Sequence, residues 1–203
     1  LRTRRQRQMC IRDRRFVARI NGQPAVCDGI DSSISDLRFY ISEVDVFAAS
    51  TESFVPAVLD AASHWQTDRI ALVDLENGQG ACKNGTSETN NVVRLKVPAG
   101  TYSGVLRFVV GVPFDLNHEN PLTAEAPLNH AAMHWHWRSG YKFLRAGIAT
   151  NDGDAWIHLG STGCEGTVGA VIGCNAPNRV NVVLSDFDPA LDRIAVDLSL
   201  IHI

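Results

Sequence analysis

The sequence predicts an all-β chain, an antiparallel β-sandwich of short strands in a single domain, on three observations. Apolar residues recur at every second position over strand-length runs, Gly, Asn, Pro and Asp clusters separate those runs, and only one stretch keeps helical spacing. With the two terminal segments treated below set aside, about 180 residues remain, an ordinary size for one domain.

Taken in order, the tight turn Ile20-Asn21-Gly22 ahead of QPAV supplies the positive-φ residues a two-residue strand connection needs. LRFYISEVDVF (37–47) alternates or runs apolar over strand length, as does IALVDLE (70–76). Between them, ESFVPAVLDAASHW (52–65) approaches helical spacing, and Pro56 weakens it. The run NVVRLKVPAGTYSGVLRFVVGV (91–112) is broken by Pro98-Ala99-Gly100, which predicts a hairpin bringing the strand that leads to LNHEN beside its predecessor. KFLRAGIA (142–149), the turn NDGD (151–154), RVNVVLSDF (179–187) and RIAVDL (193–198) complete the set.

The ends of the chain distort the bulk numbers. MCIRD followed by Arg14 can be coded ATG TGT ATA AGA GAC AG, and the reverse complement of that DNA reads Leu-Ser-Leu-Ile-His-Ile, the last six residues. Two ends of a natural gene have no reason to be reverse complements. Residues 1–14 and 198–203 are therefore expected to be adapter-derived, around a C-terminally truncated native domain of residues 15–197, and are left out of fold reasoning. The first fourteen residues hold six of the 19 Lys+Arg and one of the 22 Asp+Glu, which leaves 13 and 21, a net of −8. The hint of nucleic-acid binding carried by a basic arm disappears with them.

Cys10 falls in the excluded segment, leaving Cys27, Cys82, Cys164 and Cys174. An even number without CxxC spacing favours disulfides and an oxidising compartment. Four cysteines allow three pairings; Cys164 and Cys174, joined by a Gly-rich loop, make a plausible local bridge, and buried free thiols are the alternative. No apolar run approaches the roughly 20 residues needed to span a membrane.

AAMHWHWRSGYKFLR (131–145) alternates two tryptophans with two histidines. In an extended segment Met133, Trp135 and Trp137 share one face, and His134, His136 and Arg138 the other. Read alone, the strand buries Met and Trp and leaves the histidines in water. His118 in FDLNHEN and His158 in WIHLGSTGC lie where strands run into polar loops, and neutral imidazoles converging from different chain regions suit copper or zinc. Spacing supports no more than a candidate histidine metal site on a β scaffold. Ser161 in GSTG lacks the GxSxG elbow of a serine hydrolase, and no Asp or Glu pair has the spacing of a carboxylate hydrolase.

The order DLRFYISEVDV, ALVDLENGQGAC with NGTSETN, VPAGTYSGVLRFVVGVPFDLNHENP, PLNHAAMHWHWRSGYKFLR, HLGSTGC and NAPNRV resembles the MbnP-like family, the metallo-mystery-pair proteins with a four-cysteine motif. The resemblance runs from about Arg19 to Leu198, and members are expected to continue past Leu198. It implies a periplasmic or secreted copper-binding β-sandwich that is not itself an enzyme. It also implies a partner, a dihaem protein resembling cytochrome c peroxidases, which oxidises a tryptophan to kynurenine.

By position the family's M-x-W-x-W falls on Met133, Trp135 and Trp137, its LNH on His118, and its HLGSTGC on His158 to Cys164. This chain departs from the pattern in carrying histidine at both 134 and 136. His118 and His158 are the leading expected ligands, His134 and His136 follow, and Trp135 or Trp137 is the residue expected to be modified. Asp115 and Glu119 flank His118 and could orient its imidazole, although solvated loop carboxylates are the simpler reading. Trp65 and Trp156 are expected in core or interface packing. A different class of function, a carbohydrate- or protein-binding module, would use Trp135, Trp137 and Tyr141 as a stacking platform.

Overall fold

The computed structural model describes residues 10–29, 33–188 and 191–200; residues 1–9 and 201–203 of the excluded segments lie outside the described residues. In chain order the strands are β1 (Cys10–Ile20), β2 (Gln23–Pro24), β3 (Ile34–Ala48), β4 (Ser53–Pro56), β5 (Val58–Leu59), β6 (Ile70–Asp74), β7 (Val92–Val97) and β8 (Tyr102–Val110). After a four-residue helix α1 (Phe114–Asn117) come β9 (His134–His136), β10 (Gly140–Thr150), β11 (Gly153–Gly160), β12 (Thr162–Thr167), β13 (Ala170–Ala176), β14 (Val180–Leu184) and β15 (Ile194–Asp197). The chain is all-β, as expected, and 52–65 forms β4 and β5 rather than a helix, with Pro56 ending β4.

One sheet runs β15-β1-β7-β5, with β2 on β1. A second runs β11-β10-β3-β8-β14, with β4 and β6 also on β3 and β9 on β10. The hairpin β12–β13 stands apart. All these pairings are antiparallel except β1 with β15.

At its centre, in β3 and β6, the larger sheet is buried on both faces. Phe39, Ile41, Ala71, Val73, Leu106, Phe108 and Ala146 face the core shared with Phe16, Val93 and Leu95 of the smaller sheet. Tyr40, Ile70, Leu72, Tyr141 and Phe143 face a second core closed by Trp65, Val112, Leu128 and Met133. Two cores explain why β6 is buried at all five positions and β3 over its first nine, where a strand wetted on one face would alternate.

The hairpin predicted over 91–112 does not form. β7 pairs with β1 and β5, β8 pairs with β3 and β14, and 98–101 is a corner between sheets. Thr101 explains the difference: its carbonyl accepts from Ala49 N–H at 3.1 Å, so the chain docks on the end of β3 instead of folding back on β7. The Asn21-Gly22 turn behaves as expected, with φ 51° and 73° joining β1 to β2.

Residues 10–14, set aside in the sequence reading, extend β1 against β7 from Cys10↔Val97 to Arg14↔Val93, and Leu198 is buried in the first core. Strand pairing runs through backbone amides, so it is open to any residue that accepts an extended conformation. Cys27 bonds to Cys82 and Cys164 to Cys174, so the expected local bridge is present and a long-range one accompanies it.

Candidate metal centre

The excursion from Val112 to Met133 covers the second core and delivers the histidine-rich segment to its rim. The alternation read from 131–138 holds only in part. Ala131–Met133 is a 3-10 turn, β9 spans three residues, and the chain turns again before Gly140, whose φ is 75°. Gly140 tolerates no side chain, because a Cβ there would meet the Asn117 carbonyl oxygen at 2.1 Å. Met133 is buried, as expected; Trp135 is 47% exposed and Trp137 half-buried. His134, expected in water, is half-buried with its ring edge-on to the buried Tyr141, centroids 5.2 Å apart.

Buried charge sets the height of this segment. Asp36, fully buried, takes two hydrogen bonds from the Arg38 guanidinium and lies 2.9 Å from Arg145 Nε. Arg145 Nη1 and Lys142 Nζ then donate to the Ala132 carbonyl at 3.2 and 3.0 Å. Two cations on one carbonyl fix the backbone just ahead of the Trp-His run, and neither was singled out in sequence, where 142–149 was read only as a strand.

His118 is the C-terminal cap of α1. Its Nδ1 lies 3.2 Å from the Trp137 carbonyl oxygen, which can only accept, so Nδ1 carries the proton and Nε2 the lone pair. Asp115 does not orient this ring: its carboxylate takes two bonds from Arg69 at 2.7 and 3.0 Å, which hold it below the usual range. Burial raises Glu119 instead. The unforeseen organiser is Asn117, 1% exposed, whose Oδ1 accepts from Tyr141 N–H at 2.9 Å while Nδ2 sits 3.3 Å from Ser139 O, Ser161 Oγ and His118 Nε2. Ser161, itself buried, donates to the Pro177 carbonyl and is structural.

His158 lies exposed on β11, an edge strand, between the rings of Trp135 and Trp156, each 5.9 Å away. Trp135 also packs over the bare face of Gly160, its Cε3 at 3.5 Å from where a Cβ would stand. Trp156 is not core: it is 36% exposed under the Arg145 guanidinium. His136 is exposed, its ring tilted on Trp137, its Nδ1 accepting from Arg138 N–H at 3.3 Å.

Partial desolvation, with Lys142 and Arg145 nearby, lowers the His158 pKa, and desolvation, with His136 and Lys142, lowers that of His134. Both are thus held as neutral imidazoles, the form that binds a metal. The structure brings His158 to Trp135 and His118 to Trp137, so the segment 135–137 is the common neighbour of the two leading ligands. Among the described residues, the group of three or more metal-capable donors within 4.8 Å of one another is His118 with Cys164 and Cys174, and there the sulfurs are joined as a disulfide. A cavity of about 750 Å3 lined by Tyr102, Gly104, Leu106 and Phe187 shares no residue with this region.

A family model described as MbnP matches residues 14–201. The solved structure of MbnP from Methylosinus trichosporium is similar at a TM-score of 0.77 and 26% identity, covering 95% of this chain and 77% of that one. No curated protein matches.

Proposed function

The chain belongs to the MbnP family, and from that premise we propose that it is a periplasmic copper-binding protein whose Trp135 is oxidised to kynurenine by a dihaem peroxidase-like partner. The observation that carries this reading is Trp135 itself, 47% exposed and edge-on to the His158 ring at 5.9 Å. An electron can leave an exposed indole toward a docked haem protein without a path through the core.

Trp137 is the poorer candidate. The Arg138 guanidinium lies over its ring at 5.0 Å, and a cation on an indole face disfavours the positive charge that oxidation creates there. Trp135 has no such partner among the described residues; the ring it meets is an imidazole whose lowered pKa keeps it neutral. Conversion to kynurenine exchanges one carbon for one oxygen and leaves an aryl amine and a ketone, so a residue with no ligand atom acquires two.

The donor set fits copper. The His158 imidazole and the modified Trp135, with the imidazole of His118, whose Nδ1 is held by the Trp137 carbonyl, would hold the ion, and His134 is the next imidazole along the segment. Bound copper would supply a soft, redox-active cation, while the chain orients its donors through the Trp137 carbonyl and the Lys142–Arg145 pair and performs no catalysis of its own. Two disulfides are compatible with an oxidising compartment, and among the described residues no helix is long and apolar enough to cross a membrane. A stacking platform for carbohydrate is less well supported, because Tyr141 is fully buried and leaves that surface with Trp135 and Trp137 alone.

The test is peptide mass spectrometry of the chain produced with its dihaem partner. The peptide holding Trp135 is expected to gain the mass of one oxygen less one carbon, in the wild type and in Trp137→Phe but not in Trp135→Phe. An unmodified peptide from the wild type overturns the maturation reading, and a modification retained by Trp135→Phe overturns the choice of residue.

A further inference from the structure

The two disulfides sit in unlike surroundings. Cys27 and Cys82 are 2% and 0% exposed, and their sulfurs face the Leu75 and Ile34 carbonyls. Cys164 and Cys174 stand directly opposite each other in the β12–β13 ladder, Cys174 is half-buried, and its Sγ lies 3.8 Å from His118 Nε2. The three donor atoms, one imidazole nitrogen and two sulfurs, all lie within 4.8 Å of one another.

The direction of the imidazole gives the cluster its chemistry. The Trp137 carbonyl claims the Nδ1 proton, so the nitrogen turned toward the sulfur is the one with the lone pair. A disulfide sulfur has no proton to offer that lone pair, and its own neutrality makes it a poor metal ligand; the thiolate is the ligand form of cysteine. Ladder pairs from Thr162↔Ala176 to Thr167↔Ala170 flank the bridge, and these backbone bonds keep the cysteines opposed when the S–S bond opens.

We propose that Cys164, Cys174 and His118 form a latent site for a soft cation, cuprous or zinc, that opens on two-electron reduction of their disulfide. A dithiol reductant attacks the more accessible Cys174 sulfur, the S–S bond breaks, and the reductant closes to its own disulfide. Two electrons and two protons thereby pass to the cysteines. The cation displaces both thiol protons and is held by two thiolates and His118 Nε2, a sulfur-rich set that favours such ions over hard ones. The site needs neither kynurenine nor the dihaem partner; it shares only His118 with the function proposed above.

The experiment uses the full chain produced alone, with its tryptophans unmodified, reduced by a phosphine, freed of reductant and titrated anaerobically with Co2+. Thiolate-to-cobalt charge-transfer absorption is expected with an endpoint at one equivalent per chain, absent before reduction. In Cys164→Ser/Cys174→Ser the band is expected to vanish although Cys27, Cys82 and Cys10 are still present. His118→Ala, which leaves all the sulfurs in place, is expected to keep a band and to lose at least about tenfold in affinity, since even partners outside the ligand shell are worth that much. Circular dichroism checks that each variant keeps its strands. No band in the reduced wild type, a band that survives the double serine variant, or an unchanged affinity in His118→Ala overturns the proposal. Because the tryptophans are unmodified, each of these results is independent of whether Trp135 is ever oxidised.

Discussion

Trp65 and Trp135 both sit against imidazole rings, in two different settings. Trp65 is 8% exposed, with His64 at 4.7 Å and His130 stacked on it at 5.2 Å, and its indole closes the second core beside Tyr40 and Leu128. Trp135 is 47% exposed beside His158, which lies on an edge strand with Trp156 on its other flank. Residue types and ring distances are nearly the same. In the first cluster the tryptophan contributes buried area and the imidazoles cover it; in the second the rings hold a histidine neutral at the surface and leave an indole open to a partner. Ring contacts alone therefore do not mark a site, and exposure with charge around it does.

The largest expected separation is in stability. Trp65→Ala should cost roughly 3–5 kcal/mol, the usual range for a buried aromatic, whereas Trp135→Ala should stay within about 1 kcal/mol. Urea unfolding of both variants measures the difference, and equal losses would erase the distinction between the clusters.

Copper affinity should separate them in the opposite sense. Replacing His118 and His158 together by alanine is expected to weaken binding to the matured protein at least about 100-fold, about 2.8 kcal/mol at 1.4 per decade, while the same change at His64 and His130 leaves it within about twofold. Because desolvation lowers the pKa of His158, proton competition at this imidazole should set in at lower pH than at an unperturbed histidine, which copper titrations at stepped pH measure.

A third contrast, read as a slope against pH, concerns the charge network beneath the buried cluster, where burial, with Arg38 nearby, lowers His130. Burial raises Asp74 from 3.8 to about 7, so between those values the folded chain binds a proton that the unfolded chain has released. The stabilisation from that protonated carboxyl is complete below pH 3.8 and is lost as pH rises to about 7, at up to about 1.4 kcal/mol per pH unit. Asp74→Asn keeps an oxygen to accept from Glu76 N–H, 2.9 Å away in the wild type, and should flatten this part of the stability profile. An unaltered slope in the variant would assign the pH dependence to other groups.

Much of the fold was legible because strand periodicity is a local signal. The runs 37–47, 70–76 and 142–149 lie on β3, β6 and β10, and NDGD and Asn21-Gly22 make the turns their chemistry suits. Pro98-Ala99-Gly100 was misread as a hairpin because a turn-forming tripeptide does not say which sheet the next strand joins; the Ala49–Thr101 hydrogen bond decides that from 52 residues away. In the candidate site, His118, His158 and the tryptophans were found from their residue types and motif positions. Asn117, Lys142 and Arg145 were missed because their roles are contacts to backbone carbonyls, amides and side chains on other elements, which leave no periodic trace.

The sequence by itself determined the β class, the number of cysteines free to pair, and the run Met133 to Trp137 as the place where aromatic and imidazole chemistry concentrate, since all three follow from composition and near-neighbour spacing. Only the tertiary structure decided that β7 and β8 part between sheets, that His134 packs on Tyr141 while Trp135 is open to solvent, and that His118 turns its lone pair toward the Cys164–Cys174 bridge. Each of those outcomes depends on which distant backbone group or ring occupies the adjacent space, and a linear pattern of polar and apolar residues carries no record of that.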